Sequence, residues 1–393
     1  MLTQRADLTF RHNLKQGRHG WLRLTPAYSV KAVTEILERF EAPGRILDPF
    51  SGTGTTGLVC AERSLDCDLV ELNPFLVWLA AAKTRNYSAD ELDMAWQLVN
   101  QIVADAQRLS GEADLWTPPL HQIERWWPPQ RLSTLSQIFC ALQAVRVVAP
   151  ETVLDLLLIA FCRLLIDWSN AAFNHQSMSF KDASAPSLFA SSEQTLMLES
   201  FIRQIQLVIK AAEAPVRGRV TVKRGDSRQV NTVVTGPYHT VITSPPYPNR
   251  ISYIRELRPY MYWLGYLTDR REAGELDWQA IGGTWGIATS RLQQWKPGDL
   301  SIQQEGFDVI VEKIAENSPI LARYVHKYFE DIVCHLQSLR PVLAPGARLY
   351  YIVGNSKFYD TLVPVERIYA SLFEQMGFSE VRIKSLRSNC PGL

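Results

Sequence analysis

Paired, metal-binding cysteines are the first thing this 393-residue chain lacks. Its six cysteines, at 60, 67, 140, 162, 334 and 390, form no C-x-x-C pair, and no His/Cys spacing suggests a metal site. That argues against a zinc ribbon and a disulfide framework, and it points to a reducing, cytoplasmic compartment. An excess of one charge is also missing. With a net charge of +1 the chain is no polycation, so any nucleic-acid contact must come from a local patch. No apolar run is long enough to span a bilayer: the most apolar helix candidate, 153–166, is interrupted by Asp155 and Arg163. The first residues, Met-Leu-Thr-Gln-Arg, carry no apolar signal core, and no membrane partner is expected. Internal repeats and low-complexity tracts are absent too.

What is present is the composition of a soluble globular protein, 46% hydrophobic and 21% charged, long enough for one large domain with an insertion or for two domains. After a basic, aromatic lead-in at 11–30, Val30, Val33, Ile36, Leu37 and Phe40 predict an amphipathic helix. A short strand at 45–47 then runs into a glycine-rich loop and a helix through Cys60, followed by a strand at 66–72 and a helix opened by Pro74. This order predicts a right-handed parallel sheet. From 87 to 215 only helical patterns appear, the first headed by the capping box Ser88 to Glu91, with prolines at 118, 119, 128, 129 and 150 punctuating the rest. Strands resume at 219–222 and 239–243. Beyond them the reading is a helix at 252–266, a long polar loop at 268–318, a helix at 319–339, a strand at 348–353, a helix at 363–376 and a last strand at 380–386. The expected architecture is α/β: a Rossmann-like, mostly parallel sheet with helices on both faces, built from 1–86 and 216–393 as one catalytic domain, with 87–215 as a large all-helical insertion.

Two stretches carry chemistry. Thr243-Ser244-Pro245-Pro246-Tyr247 ends an apolar strand in two prolines that cannot donate to a ladder. The prolines set a rigid, extended path, so carbonyls point in fixed directions beside a hydroxyl and an aromatic ring. Such a site can grip a planar amine: Tyr247 stacks on a nucleobase while Ser244 and the Pro245 carbonyl accept hydrogen bonds from its NH2. The second stretch, Ser51 to Gly57, places Gly52, Gly54 and Gly57 in G-x-G-x-x-G, with Glu71 about 20 residues on. The glycines permit close backbone approach and the acid suits a ribose diol, as for any adenosine ligand. Asp48, ahead of the glycines, would repel a pyrophosphate but suits a cationic amino-acid headgroup, which S-adenosylmethionine carries.

DPFSGTGTTG at 48–57 together with TSPPY at 243–247 resembles the cofactor and catalytic motifs of the S-adenosylmethionine-dependent amino-methyltransferases of DNA, which methylate cytosine N4 or adenine N6. The resemblance covers 20–85 and 219–386. It implies S-adenosylmethionine as cofactor, held at Asp48, Pro49, Phe50, Gly52 and Gly54, with Glu71 and Asn73 at the ribose end. Leu24 to Tyr28 is similar to the segment over the methionine end, implicating Thr25 and Tyr28, and Asp226 is similar to the acid near the adenine ring. Ser244, Pro245, Pro246 and Tyr247 are the implied catalytic residues. Serine as the motif's first residue favours cytosine over adenine. The carbon-methylating relatives use a cysteine after a proline, and this chain has no Pro-Cys dipeptide. The target atom is inaccessible in a stacked duplex, so base flipping is expected. The hairpin strand that completes the family's sheet has no obvious counterpart after residue 386.

The expected partner is double-stranded DNA, with a cognate restriction endonuclease as a second candidate and no metal. Between 215 and 258, Arg217, Arg219, Lys223, Arg224, Arg228, Arg250, Arg255 and Arg258 face only Asp226 and Glu256, which fits phosphate contacts. Asn249, Arg250 and Tyr253 are the candidates nearest a flipped base. In the insertion, a candidate target-recognition region, Trp126 and Trp127 read as core, and Ser169 to Gln176, with His175, as a target-reading loop. Gly282 to Trp285 reads as a mobile lid. An RNA amino-methyltransferase is the rival enzyme, without a recognisable RNA-binding module. A nicotinamide oxidoreductase leaves Ser244 to Tyr247 unexplained. An inactive nucleic-acid-binding module on the same fold is the non-enzyme alternative, at odds with intact Asp48, Gly52, Ser244 and Tyr247.

Overall fold

The computed structural model describes residues 13–24, 28–39, 44–111, 114–172, 179–180, 190–250, 252–284, 286–298, 302 and 304–385. In chain order the elements are α1 (Val30–Arg39), β1 (Ile46–Asp48), α2 (Thr55–Glu62), β2 (Cys67–Glu71) and α3 (Pro74–Thr84), then α4 (Ala89–Arg108), α5 (Pro129–Val145), α6 (Glu151–Asp167) and α7 (Ala190–Ala212). There follow β3 (Val220–Arg224), β4 (Tyr238–Thr243), α8 (Arg258–Trp263), α9 (Arg270–Gln279), α10 (Ile287–Gln294), α11 (Phe307–Asn317) and α12 (Pro319–Leu339). The chain continues through β5 (Leu343–Tyr351), the hairpin β6 (Ser356–Phe358) and β7 (Thr361–Val363), and α13 (Val365–Gln375).

Five strands pair in the order β3-β2-β1-β4-β5, every pairing parallel. Alternate residues serve opposite faces, as a pleated strand requires. Ile46, Leu69 and Ile242 pack in one layer with Val33 of α1, Val59 of α2 and Ala80 of α3. Leu47, Val70 and Val241 pack in the other with Val230, Val234 and Leu339 of α12. The result is an α/β sheet with helices on both faces, and the chain order reverses between β1 and β4. In sheets of this kind ligands bind outside the carboxyl ends of the strands at that reversal.

The helical stretch is clipped at its base. Asn86 donates to the Val216 carbonyl and accepts from the Val216 amide, both at 2.8 Å, so the two ends of the insertion meet. Its helices share one continuous apolar cluster with Phe75 and Leu79 of α3 and with Tyr260 and Trp263 of α8. Polar ties add direction: the Trp78 indole donates to Asp155 at 2.6 Å, and Arg85 pairs with the same carboxylate at 3.0 Å. Arg18, in the lead-in, is buried and donates to carbonyls at the ends of α3 and α7, among them Lys83 at 3.2 Å and Ala212 at 2.7 Å. Trp126 and Trp127 are core, and the Trp127 indole donates to Leu165 O at 2.8 Å.

Four local expectations are corrected. Residues 268–318 are not a long loop but carry α9, α10 and α11. For α9 the reason is capping rather than apolar periodicity: Asp269 accepts from the Glu272 amide at 2.8 Å while Glu272 accepts from the Thr268 amide at 2.6 Å, which starts a polar helix; α11 carries an apolar stripe of Phe307, Ile310, Val311 and Ile314. The helix expected at 252–266 shortens to α8. The strand expected at 380–386 is absent over 380–385, where Glu380 sits at φ +56° and Ile383 is 55% exposed; alternation alone makes no strand without a neighbour to pair with. Finally, the helical stretch contains one two-residue antiparallel pair, Ala171–Ala172 with Ser179–Phe180.

Candidate active site

The two motifs meet at the reversal point. Asp48 ends β1 and Thr243 ends β4, and the Thr243 hydroxyl donates to Asp48 Oδ1 at 2.6 Å. Asp48 is fully buried. Its Oδ1 also accepts from the Phe50 amide at 3.1 Å, and its Oδ2 accepts from the Thr56 hydroxyl at 2.6 Å and the Tyr28 hydroxyl at 3.0 Å. The Tyr28 and Thr56 hydroxyls are themselves in contact. Burial pushes the Asp48 carboxyl up, and these same donors hold it down, Thr243 first. A carboxylate has about four acceptor positions, and four donors fill them. Asp48 thus ties the lead-in, α2 and two strands together.

Gly52 and Gly54 lie in the left-handed region, at φ +50° and +77°, which a residue with a Cβ rarely adopts. A Cβ on Gly52 would meet nothing within 4 Å, so open space adjoins the loop there. The Gly52 amide donates to Glu71 Oε2 and the Asn73 amide to Glu71 Oε1, both at 2.8 Å. Burial raises the Glu71 carboxyl to about 7, against these two amides, with Asp48 adding to the rise. Asn73 is buried and caps α3 by accepting from the Phe75 amide at 3.0 Å. Beneath the loop, Lys83 donates to Thr53 O at 3.2 Å; burial lowers its ammonium to about 7.

Prolines leave the Ser244–Tyr247 stretch short of amide donors, and tyrosines brace it instead. Tyr328 of α12 donates to the Pro246 carbonyl at 2.7 Å and touches the Tyr369 hydroxyl at 2.9 Å. The Tyr247 amide donates to the Tyr253 hydroxyl at 2.9 Å, and the Arg250 amide to Tyr324 at 3.2 Å. Ser244 donates to the Ile352 carbonyl at 3.1 Å and lies 3.3 Å from the Tyr247 hydroxyl. Its proton is therefore committed inward, and the oxygen faces the site as an acceptor. Phe50 packs edge-on against His335, with ring centres 4.7 Å apart. Burial holds the His335 imidazole down to about 4; the neutral ring donates from Nδ1 to Ser227 O and accepts from the Tyr351 hydroxyl.

The remaining expected residues divide. Thr25, Phe173 to Met178 with His175, and Trp285 lie outside the described residues. Gly282 adjoins the motif: a Cβ there would sit 3.7 Å from Tyr247 O. Asp226 is engaged by Arg228, at 2.6 Å, and Arg228 also pairs with Asp331 at 2.9 Å. Asn249 and Arg250 are exposed beyond the motif. The run of basic residues does not form one patch. Arg217 and Arg219 precede β3, at the amino end of the sheet, away from the site. The bracing roles of Thr56, Thr243, Tyr324 and Tyr328 were not evident from the sequence; the two tyrosines, four apart on the apolar face of α12, were the available signal. Among the described residues no group of three or more His, Cys, Asp or Glu could hold a metal, and no helix is long and apolar enough to cross a membrane.

The chain is 20% identical to the type II methyltransferase M.AvaI of Nostoc sp., over 96% of this chain and 83% of that one. It is also 20% identical to the type II methyltransferase M.BsoBI of Geobacillus stearothermophilus, over 98% and 83%. No protein-family profile matches. A solved rRNA methyltransferase, aviRa from Streptomyces viridochromogenes, overlaps 68% of this chain and 79% of its own at 14% identity, with a TM-score of 0.24.

The brace at Asp48 is testable. Asp48→Ala removes the shared acceptor of three hydroxyls and an amide, and the expected loss is about 3 kcal/mol of unfolding free energy. Asp48→Asn, which keeps the shape, should lose about half as much, read from urea midpoints at unchanged m-value.

Proposed function

We propose that this chain transfers a methyl group from S-adenosylmethionine to the exocyclic 4-amino group of cytosine in double-stranded DNA. One observation carries the reading: the Asp48–Thr243 hydrogen bond sets the glycine loop and the Ser244–Tyr247 stretch side by side at the sheet's reversal point. The likeness to two type II methyltransferases along nearly the whole chain supports it. In this reading a cognate restriction endonuclease is a partner, the compartment is cytoplasmic, and 87–215 contributes to target recognition.

The residues present fit the cofactor. Open space lies at Gly52, and the Glu71 carboxylate, held by the Gly52 and Asn73 amides, lies beside it as an acceptor for a ribose diol. Pro49, Phe50 and Gly54 complete the loop, and Asp226, whose two oxygens both accept from Arg228, is assigned a positioning role beyond β3. Asp48 is assigned a positioning role in place of direct contact, because its acceptor positions are filled. S-adenosylmethionine supplies an electrophilic methyl that the amine nitrogen takes directly, so no covalent enzyme intermediate is needed.

Ser244 and the Pro245 carbonyl accept hydrogens from the amine, which draws its lone pair out of the ring and makes the nitrogen a nucleophile. Tyr247 stacks on the extruded base, and Pro246, its carbonyl held by Tyr328, keeps the turn rigid. Most of the rate then comes from positioning.

Two outcomes are expected. Labelled methyl from S-adenosylmethionine should appear in DNA at cytosine N4, and Ser244→Ala should slow transfer by about 100-fold with cofactor affinity unchanged. Methyl in RNA alone, or none, would overturn the reading. Because burial raises Glu71 to about 7 and only its ionised form offers both oxygens as acceptors to a diol, cofactor affinity should weaken as pH falls from about 8 to 6, by at most about tenfold per unit. Calorimetry with Glu71→Gln should show that dependence flattened.

A further inference from the structure

A cavity of about 260 Å³ opens between the helical insertion and the chain that follows the catalytic stretch. Four arginines line it from three separate segments: Arg125 from the insertion, Arg255 and Arg258 from the start of α8 and the turn before it, and Arg270 from the first position of α9. Among the described residues no aspartate or glutamate lines it. In a chain with a net charge of +1, such a concentration of one sign is a local feature that composition conceals.

The free protein gains little from this arrangement. Arg258 Nε is buried without a hydrogen-bond partner. Burial lowers the Arg258 guanidinium; Tyr262 and Asp277 work against that, and the positive charges of Arg255 and Arg270 add to it. An entering anion would further stabilise like charges held together around the Arg258 Nε donor. Guanidinium groups match phosphate oxygens two at a time. Aromatic rings stand among them: Arg125 lies 4.7 Å over the ring of Phe180, and Tyr262 is a further lining residue. Arginines interleaved with rings are the makings of a groove for a nucleic-acid strand.

The groove is joined to the candidate active site by its own wall. Arg270 opens α9, and Asp277 near its other end accepts from Ser252 at 2.6 Å. Seven helical residues separate them, about 10 Å, or about three base steps along a strand. From Asp277 the chain reaches Gly282, which adjoins Tyr247.

We propose that Arg125, Arg255, Arg258 and Arg270 form a phosphate-binding groove that holds the DNA backbone a few nucleotides from the base engaged at Ser244. It rests on the proposed function, and it gives the insertion a physical role as one side of a clamp on the strand. The anchor is backbone, so the groove supplies affinity and register without reading sequence.

The test uses the full chain and a labelled DNA duplex, with binding followed by fluorescence anisotropy between about 50 and 200 mM salt. Arg125 and Arg270 are both exposed, so the double variant Arg125→Gln/Arg270→Gln should fold, which circular dichroism verifies. Its affinity should fall about tenfold or more, and the slope of log affinity against log salt should drop by about two. Arg125→Lys/Arg270→Lys should retain most of the slope, and Arg125→Gln alone should lose about one. An unchanged slope in the glutamine variants, or equal losses with lysine, would overturn the groove. So would tighter binding of a single-stranded RNA at the same arginines. Duplex binding with the expected slopes but no methyl transfer would leave the groove standing and remove the proposed function. Methyl transfer with unchanged slopes would do the reverse.

Discussion

A single buried carboxylate sets the geometry of the site. Asp48 has no contact with water and accepts from four donors contributed by the lead-in, the glycine loop, α2 and β4. A charge so buried persists only when its acceptor positions are filled. Filling them forces the ends of β1 and β4 to lie at one height, and it forces α2 to start where Thr56 can reach. The open space at Gly52 and the acceptor face of Ser244 follow from that alignment.

The Ser244–Tyr247 stretch meets a complementary constraint. Two prolines remove amide donors and stiffen the chain, so the remaining backbone groups must be held from outside. Tyr253, Tyr324 and Tyr328 do this with hydroxyl tips on largely apolar rings, which bury readily and still satisfy a polar group. The outcome is a rigid turn in which the Ser244 hydroxyl already donates to the Ile352 carbonyl. Preorganisation of this kind lets fixed donors and acceptors favour one displacement.

Much of the fold was legible because it is written in short range. The strand, loop and helix succession from Arg45 to Thr84, and the long helical run after Tyr87, both follow from local periodicity and capping. Misreadings arose where the decisive partner lies far along the chain. Glu380 to Leu386 alternates like a strand but is unpaired over its described part, and the polar helix α9 is started by its Asp269 cap rather than by an apolar stripe. The arginines of 217–258 looked like one patch, yet Arg217 and Arg219 lie at the far end of β3 and Arg228 is spent on Asp226 and Asp331. The motif residues themselves were visible in the sequence. What it could not convey was that Asp48 and Thr243, 195 positions apart, share a hydrogen bond.

The central claim is that one space at the reversal point serves both the methyl donor and the acceptor amine. The most direct measurement is a crystal structure of the protein soaked with S-adenosylhomocysteine. The account predicts density along Gly52 with the ribose on Glu71 and the sulfur facing Ser244. Density elsewhere on the molecule, or a ligand at Gly52 whose sulfur points away from Ser244, would contradict it.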